Sequence, residues 1–400
     1  MSQLFKHQEE FLKENPDKTT LVWSCGTGKT RTAIEWANLR LDFSTLIICP
    51  KALKTNWNRE VQKWAKGSLF VIYTKEEFRK YFKSTIKYQQ IIVDEVHNGF
   101  LTPQFKSQMS KALRAYLRVH QVPRVLLLTA TPYTASPWNI YNIAHYTGHN
   151  WNYREFEWEY FDHIRMGLRI VPVAKSGSEK KLANVLKKIA SVVDIHDVMD
   201  VPLQNHLEPE YFALSSDQSK AITEAYDPLP IVRYTKQHEI ENGFLLGNEF
   251  TKTKFIGCDK YERIESLVDE NKKIAIVCRY NFQIDILTRM LAEYKPLVIR
   301  GDVKNRDAIT LAAEEAETCV VLIQADCAEG YQLPSFPLCV FMSQSYSYTK
   351  WEQICGRFLR MDKPSPTTFM YLLTDGDSID QAVYYAVRKK ENFKIELYGN

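Results

Sequence analysis

Residues 20–41 read TLVWSCGTGKTRTAIEWANLRL, and this stretch decides the fold. Residues 20–24 form a short apolar run without polar alternation, the texture of a strand covered on both faces. The run passes straight into Cys25-Gly26-Thr27-Gly28-Lys29-Thr30, and a helix-period stretch follows. Strand, glycine-rich loop and helix in that order are the setting a phosphate-binding loop requires. Gly26 and Gly28 let backbone N–H groups close around phosphate oxygens, with Cys25 and Thr27 completing the loop. Lys29 reaches the β- and γ-phosphates, Thr30 offers its hydroxyl to Mg²⁺, and the helix N-terminus adds its positive end. Trp23 stands where the full loop usually begins with Gly or Ala.

Outward from this loop, apolar runs alternate with helix-period stretches, which argues for parallel sheets with crossover helices. One set of runs lies at 20–24, 45–49, 69–73, 91–94 and 125–129. A second set lies at 274–278, 296–299, 320–324, 338–342 and 368–372. The expected fold class is therefore α/β, with two parallel-sheet units over 1–147 and 260–400. Residues 148–259 have another texture and are expected to form a helical insert and a linking passage. Within them 151–161 is densely aromatic, 175–188 is basic and helix-like, and 200–212 looks extended. The run at 91–94 leads into Asp94-Glu95-Val96-His97. An Asp at the carboxyl end of a strand can hold Mg²⁺, and a neighbouring Glu can polarise water. Paired with the upstream loop, Asp94 and Glu95 read as the second half of a nucleotide-hydrolysis site.

Composition sets bounds. The 400 residues are 45% hydrophobic and 25% charged, ordinary globular values that permit sizeable cores without staples. A net charge of +4, from 52 basic and 48 acidic residues, excludes a histone-like coat but leaves room for a local basic groove. No two of the eight cysteines form a C-x-x-C pair, so a zinc ribbon is not expected. Cys49, Cys278, Cys319 and Cys339 read as small buried hydrophobes, in keeping with a reducing cytoplasm. There is no signal-like apolar region at the start and no run of ~18 apolar residues, so neither export nor a membrane span is expected.

CGTGKT and DEVH resemble motifs I and II of superfamily-two helicases. Residues 128–132 (LTATP) resemble motif III, and residues 353–360 (QICGRFLR) resemble motif VI. Residues 49–53 (CPKAL), Asn56-Trp57 and Lys63-Trp64 resemble motif Ia of the Swi/Snf-like branch. Arg300-Gly301-Asp302 followed by Arg306, and Gly330-Tyr331-Gln332-Leu333, look like its elements in the second half. Motif V departs from the usual pattern, with Gln324, Asp326, Cys327 and Ala328 where Thr and Gly are usual. The compactness of the chain is similar to helicase-like proteins of phages and bacteria.

The resemblance implies two RecA-like lobes facing each other across ATP. It implies ATP and Mg²⁺ as cofactors, with Thr30 and Asp94 on the metal and Lys29, Asp94, Glu95, Arg357 and Arg360 catalytic. Arg357 and Arg360 would act as arginine fingers, whose planar guanidinium spreads charge over phosphoryl oxygens. Gln8 sits where the family places an adenine-reading glutamine. Gln353 and Gly330 would also face the nucleotide, and His97 would link hydrolysis to the groove. Nucleic-acid contacts would come from Lys51, Thr55 and Asn56 in the first lobe, and from Arg279, Arg300, Lys304 and Gln324 in the second. The implied partner is DNA, whether duplex, forked or single-stranded, with a replication or nuclease protein as a further partner. No membrane is involved and the chain is expected to be a monomer. An RNA-dependent ATPase and an ATP-gated clamp remain as alternatives. The aromatic stretch 151–161 reads either as a base-stacking surface or, more readily, as packing of the insert on the first lobe.

Overall fold

The computed structural model describes residues 4–84, 86–130, 136–166, 169–198, 204–247, 251–303, 306–327, 330–359, 366–393, 395 and 398. The chain divides into two units, Met1–Asp200 and Val201–Asn400. In the first unit the strands are β1 (Lys18–Trp23), β2 (Thr45–Cys49), β3 (Phe70–Thr74), β4 (Gln90–Val93), β5 (Arg124–Thr129), β6 (Phe161–Met166), β7 (Arg169–Ala174) and β8 (Ser191–Val193). Six of them form one parallel sheet in the order β3-β2-β4-β5-β1-β8. β6 and β7 form a separate antiparallel hairpin.

Strand residues alternate between faces, and both faces of this sheet are apolar because both are covered. Leu21, Trp23, Ile47, Cys49, Ile92, Leu126 and Leu128 pack with α1 (Lys6–Glu14), α2 (Lys29–Asn38) and α3 (Lys54–Trp64). Their neighbours Val22, Leu46, Ile48, Ile91, Val93, Val125 and Leu127 face the opposite core. Burial pushes the Cys49 thiol up to about 12, as befits a core residue.

The second unit holds β9 (Gln204–His206), β10 (Glu210–Phe212), β11 (Phe244–Leu245), β12 (Lys254–Phe255), β13 (Lys273–Cys278), β14 (Leu297–Ile299), β15 (Cys319–Gln324), β16 (Leu338–Phe341) and β17 (Thr367–Thr374). Its main sheet runs β10-β17-β16-β13-β15-β14, and β9 also pairs with β17. All its pairings are parallel. Two cores again flank the sheet. Both expected parallel sheets are thus present, and the α/β class holds.

The stretch 148–259, expected as a separate insert, is shared between the units. Trp151, Phe156, Tyr160 and Phe161 join the first core, and β8 extends the first sheet beside β1. β9 and β10 extend the second sheet through β17. The aromatic stretch is packing: Trp138 stacks on Tyr153 and Phe161 with centroids 4.9 and 4.8 Å apart, and of the aromatic rings in that stretch only Trp158 is broadly exposed. Among the described residues no helix is long and apolar enough to cross a membrane.

A buried polar network ties the second unit together. Asp380 accepts from His238 Nε2 at 2.9 Å, from Asn242 Nδ2 at 3.2 Å and from the Lys260 ammonium. Burial alone would raise the Asp380 carboxyl, but Lys260 and then His238 outweigh it and hold it below the usual carboxylate range. Glu241 beside it caps Ile379 N and Asp380 N, and burial followed by the Asp380 charge pushes its carboxyl up to about 7.

A pH test follows for Glu241. Its folded value of about 7 lies above the ordinary 4.5, so the folded state binds the proton more tightly between these limits. The contribution of Glu241 to stability is therefore full below 4.5 and declines as pH rises to 7. Thermal melts should show the Tm of Glu241→Gln gaining on wild type across that window and levelling above it. A constant difference would contradict this reading.

Candidate active site

The glycine loop lies where β1 ends, and two of its residues need left-handed backbone. Gly26 has φ +82° and Gly28 φ +83°, conformations that favour glycine. Gly28 also has a neighbour against it: a Cβ there would stand 2.4 Å from Gln8 Nε2. Gln8 is buried, and its amide donates to Gly28 O at 3.2 Å and to Thr32 Oγ1 at 3.0 Å, while its carbonyl accepts from Phe5 N. His7 Nε2 donates to Thr27 O at 2.9 Å, and Thr27 Oγ1 donates to Ser24 O at 2.8 Å. The structure therefore places Gln8 as a brace of the loop from α1. Lys29, the first residue of α2, bonds Trp23 O at 2.7 Å and Ser24 O at 3.1 Å. Thr30 follows in the same first turn, half-buried, and Cys25 is half-buried in the loop.

Gly28→Ala is expected to cost about 2 kcal/mol of folding stability, from left-handed strain and overlap with Gln8. The strain is relieved only by displacing Gln8 or reshaping the loop. Wild-type melting in the variant would contradict the close packing.

Asp94 and Glu95 follow β4, which is separated from β1 by β5 alone. Ligands in parallel sheets bind beyond the carboxyl ends of the strands, where the loop, Asp94 and Thr129 all lie. Asp94 Oδ2 accepts from Trp57 Nε1 at 2.8 Å, and Oδ1 accepts from Glu95 N at 2.9 Å. Burial, then the Glu95 charge, pushes the Asp94 carboxyl up to about 6, while the Trp57 hydrogen bond and the Lys29 charge pull the other way. Lys29 and Asp94 thus sense each other electrostatically across the site.

Glu95 has φ +46°, a costly conformation for a residue with a side chain. It is held there by its N–H bond to Asp94 and by the return of Val96 N to Leu128 O at 3.0 Å. His97 Nδ1 lies 3.3 Å from Glu95 Oε2 and 3.0 Å from Thr129 Oγ1, joining the acidic turn to the end of β5. On α3, Thr55 is exposed and Asn56 half-buried; Lys51 is exposed just before the helix.

Within the second unit, Arg357 caps the helix Tyr348–Gly356 and is buried, as is Gln353. The buried Gly330 has φ +84° and begins the segment that packs on Arg357, where Leu333 N donates to Arg357 O at 2.9 Å. Gln332, with its amide turned to suit, meets Arg357 O at 3.1 Å and Arg357 Nη1 at 3.3 Å. Arg279 stacks on Tyr346 with its guanidinium 3.6 Å from the ring centre, and its carbonyl accepts from Gln324 Nε2 at 3.5 Å. Arg300 forks between Asp285 Oδ1 at 2.6 Å and Asp302 Oδ1 at 2.8 Å, so two carboxylates already neutralise it. Thr131, Pro132, Lys304, Ala328 and Arg360 lie outside the described residues.

Two features have no local sequence signal. Trp57 enters only through the resemblance, and nothing near it in the chain points to its bond with Asp94. The cluster of His238, Glu241 and Asp380 brings candidate ligand atoms within 4.8 Å of one another, but the Lys260 ammonium bonded to Asp380 supplies the cation there.

No protein-family model matches the chain, and no curated protein matches it. Among solved structures it is similar to the Sulfolobus solfataricus SWI2/SNF2 ATPase core in complex with dsDNA. The identity is 15%, over 97% of this chain and 91% of that one, with a TM-score of 0.44.

Proposed function

We propose that the chain is a nucleic-acid-stimulated ATPase that moves along DNA. One observation carries the reading: a glycine loop with left-handed Gly26 and Gly28, Lys29 at a helix start, and an acidic pair after the next strand but one share the carboxyl end of one sheet. The donor set fits a nucleotide triphosphate with its metal. Loop N–H groups and the α2 N-terminus take phosphate oxygens, and the Lys29 ammonium exchanges two backbone carbonyls for them. Thr30 and Asp94 would hold Mg²⁺, which when bound supplies positive charge to the phosphates. Glu95, oriented by His97 and by its strained backbone, accepts the proton of the attacking water.

Arg357 and Arg360 are assigned to charge stabilisation of the transferred group, and Gln353 and Gly330 to the nucleotide. Lys51, Thr55 and Asn56 on the first unit, and Arg279, Arg300, Lys304 and Gln324 on the second, are assigned to the backbone of a DNA strand. Phosphate contact suits a motor because it is independent of sequence. Arg300 is the weakest of these assignments, since Asp285 and Asp302 hold its guanidinium.

The test is the ATPase rate of purified protein against single-stranded, duplex and forked DNA and against RNA. Stimulation by DNA above RNA is expected, and it should fall steeply with salt. Preferential stimulation by RNA would make the chain an RNA-dependent enzyme. Tight ATP-dependent DNA binding without turnover would make it a gated clamp.

A further inference from the structure

The mechanism above leaves Trp57 without a role, yet its placement is specific. α3 lies at the surface, and Trp57 is the one buried side chain on it among the described residues. The ring is locked in the apolar layer with Ile47, Cys49 and Ile92. Its Nε1–H emerges from that layer and donates to Asp94 Oδ2 at 2.8 Å, a bond between two buried groups. A buried indole needs an acceptor for its N–H, and a backbone carbonyl would serve if packing were the whole purpose. Here the acceptor is the carboxylate assigned to Mg²⁺, and the donor carries no charge that a metal would repel. Lys29 also favours the ionised carboxylate, but the proposed function commits Lys29 to phosphate. That leaves the indole and Glu95 N as the donors that stay on Asp94.

α3 has a second property. Thr55 precedes Trp57 by two residues, a rotation of about 200° on a helix, so the two occupy opposite faces. Thr55 is exposed, whereas Trp57 is fully covered. A helix held at its outer face by a nucleic acid and bonded at its inner face to Asp94 converts a displacement of one into a displacement of the other.

We propose that Trp57 is a positioning residue for Asp94: its indole N–H orients the carboxylate for Mg²⁺ and ties it to α3, the helix assigned to nucleic acid. This rests on the proposed function, because it presumes that Asp94 serves a metal–nucleotide complex.

The test uses the full chain and Trp57→Phe, which keeps an aromatic ring and removes the donor. Binding of a fluorescent ATP analogue is titrated with Mg²⁺ and repeated in EDTA. Loss of a hydrogen bond to a charged group should raise the Mg²⁺ midpoint about tenfold, with affinity in EDTA held within about twofold. Stimulation of turnover by DNA should fall along with the rise in midpoint. Equal weakening with and without Mg²⁺, or an unchanged midpoint, would overturn the inference. Wild-type protein that shows no Mg²⁺-dependent nucleotide binding would overturn the reading of the site as well, so the two failures are distinguishable.

A second measurement leaves Trp57 in place and guards against a Trp57→Phe variant that does not fold. Among the eight tryptophan indole N–H resonances, Mg²⁺ with the ATP analogue should move one, and Asp94→Asn should move the same one. Two different resonances, or none, would overturn the inference.

Discussion

Glu95→Gln is expected to lower nucleic-acid-stimulated ATP hydrolysis by about 10²–10⁴-fold, the range a positioned general base contributes. The substitution preserves shape and one acceptor oxygen but cannot take a proton from water. ATP should still bind, because the glycine loop, Lys29 and Thr30 are untouched. Folding stability should hold or rise. Glu95 is buried beside Asp94, and its charge is the second cause, after burial, that pushes the Asp94 carboxyl up to about 6. Removing one of two like charges in a desolvated turn relieves that conflict. Loss of turnover with an equal or higher Tm separates a catalytic role from a structural one. Turnover near wild type would remove Glu95 from the mechanism.

Lys260→Met should have the largest effect on stability. Lys260 and Asp380 are both buried, and the ammonium is the principal positive partner of the carboxylate. Removing it leaves a charge in the core of the second unit, with His238, Asn242 and Thr374 as its remaining side-chain donors among the described residues. Breaking one side of such a pair costs about 3–5 kcal/mol, or roughly 10 °C in Tm for a unit of this size. Adding Asp380→Asn to Lys260→Met should recover part of the loss, since the amide still accepts from His238 without a buried charge. Melts of the single and double variants decide the point: a loss under about 1 kcal/mol in the single variant would show that the network is not held by charge.

These two effects differ in how far the sequence announces them. The glycine loop and the acidic turn are local patterns, each following an apolar strand, so a linear reading finds them. The ten strands expected from apolar runs are all present, with ends that differ by at most two residues. β8, β9 and β10 are three residues each, too short for periodicity, and gain their structure from the sheet edges that they join. The hairpin β6–β7 follows an aromatic stretch, which drew attention instead.

Long-range pairs are the other blind spot. Trp57 and Asp94 are 37 residues apart, and His238 and Asp380 are 142 apart; no local pattern links either pair. Arg300 is a different case. Its charge and motif position suggest a phosphate contact, while Asp285, from the preceding helix, already occupies it. Gln8 gives a third case: its position suggests contact with adenine, and its amide in addition holds Gly28 and Thr32.

The central claim is that the loop at Gly26–Thr30 and the pair Asp94–Glu95 form one ATP-hydrolysing site under nucleic-acid control. The most direct measurement is steady-state phosphate release by wild type and Lys29→Ala, each with and without duplex DNA. The account predicts wild-type turnover that rises on adding DNA and a Lys29→Ala rate at background in both conditions. Undiminished turnover in Lys29→Ala, or wild-type turnover indifferent to every nucleic acid, would contradict it.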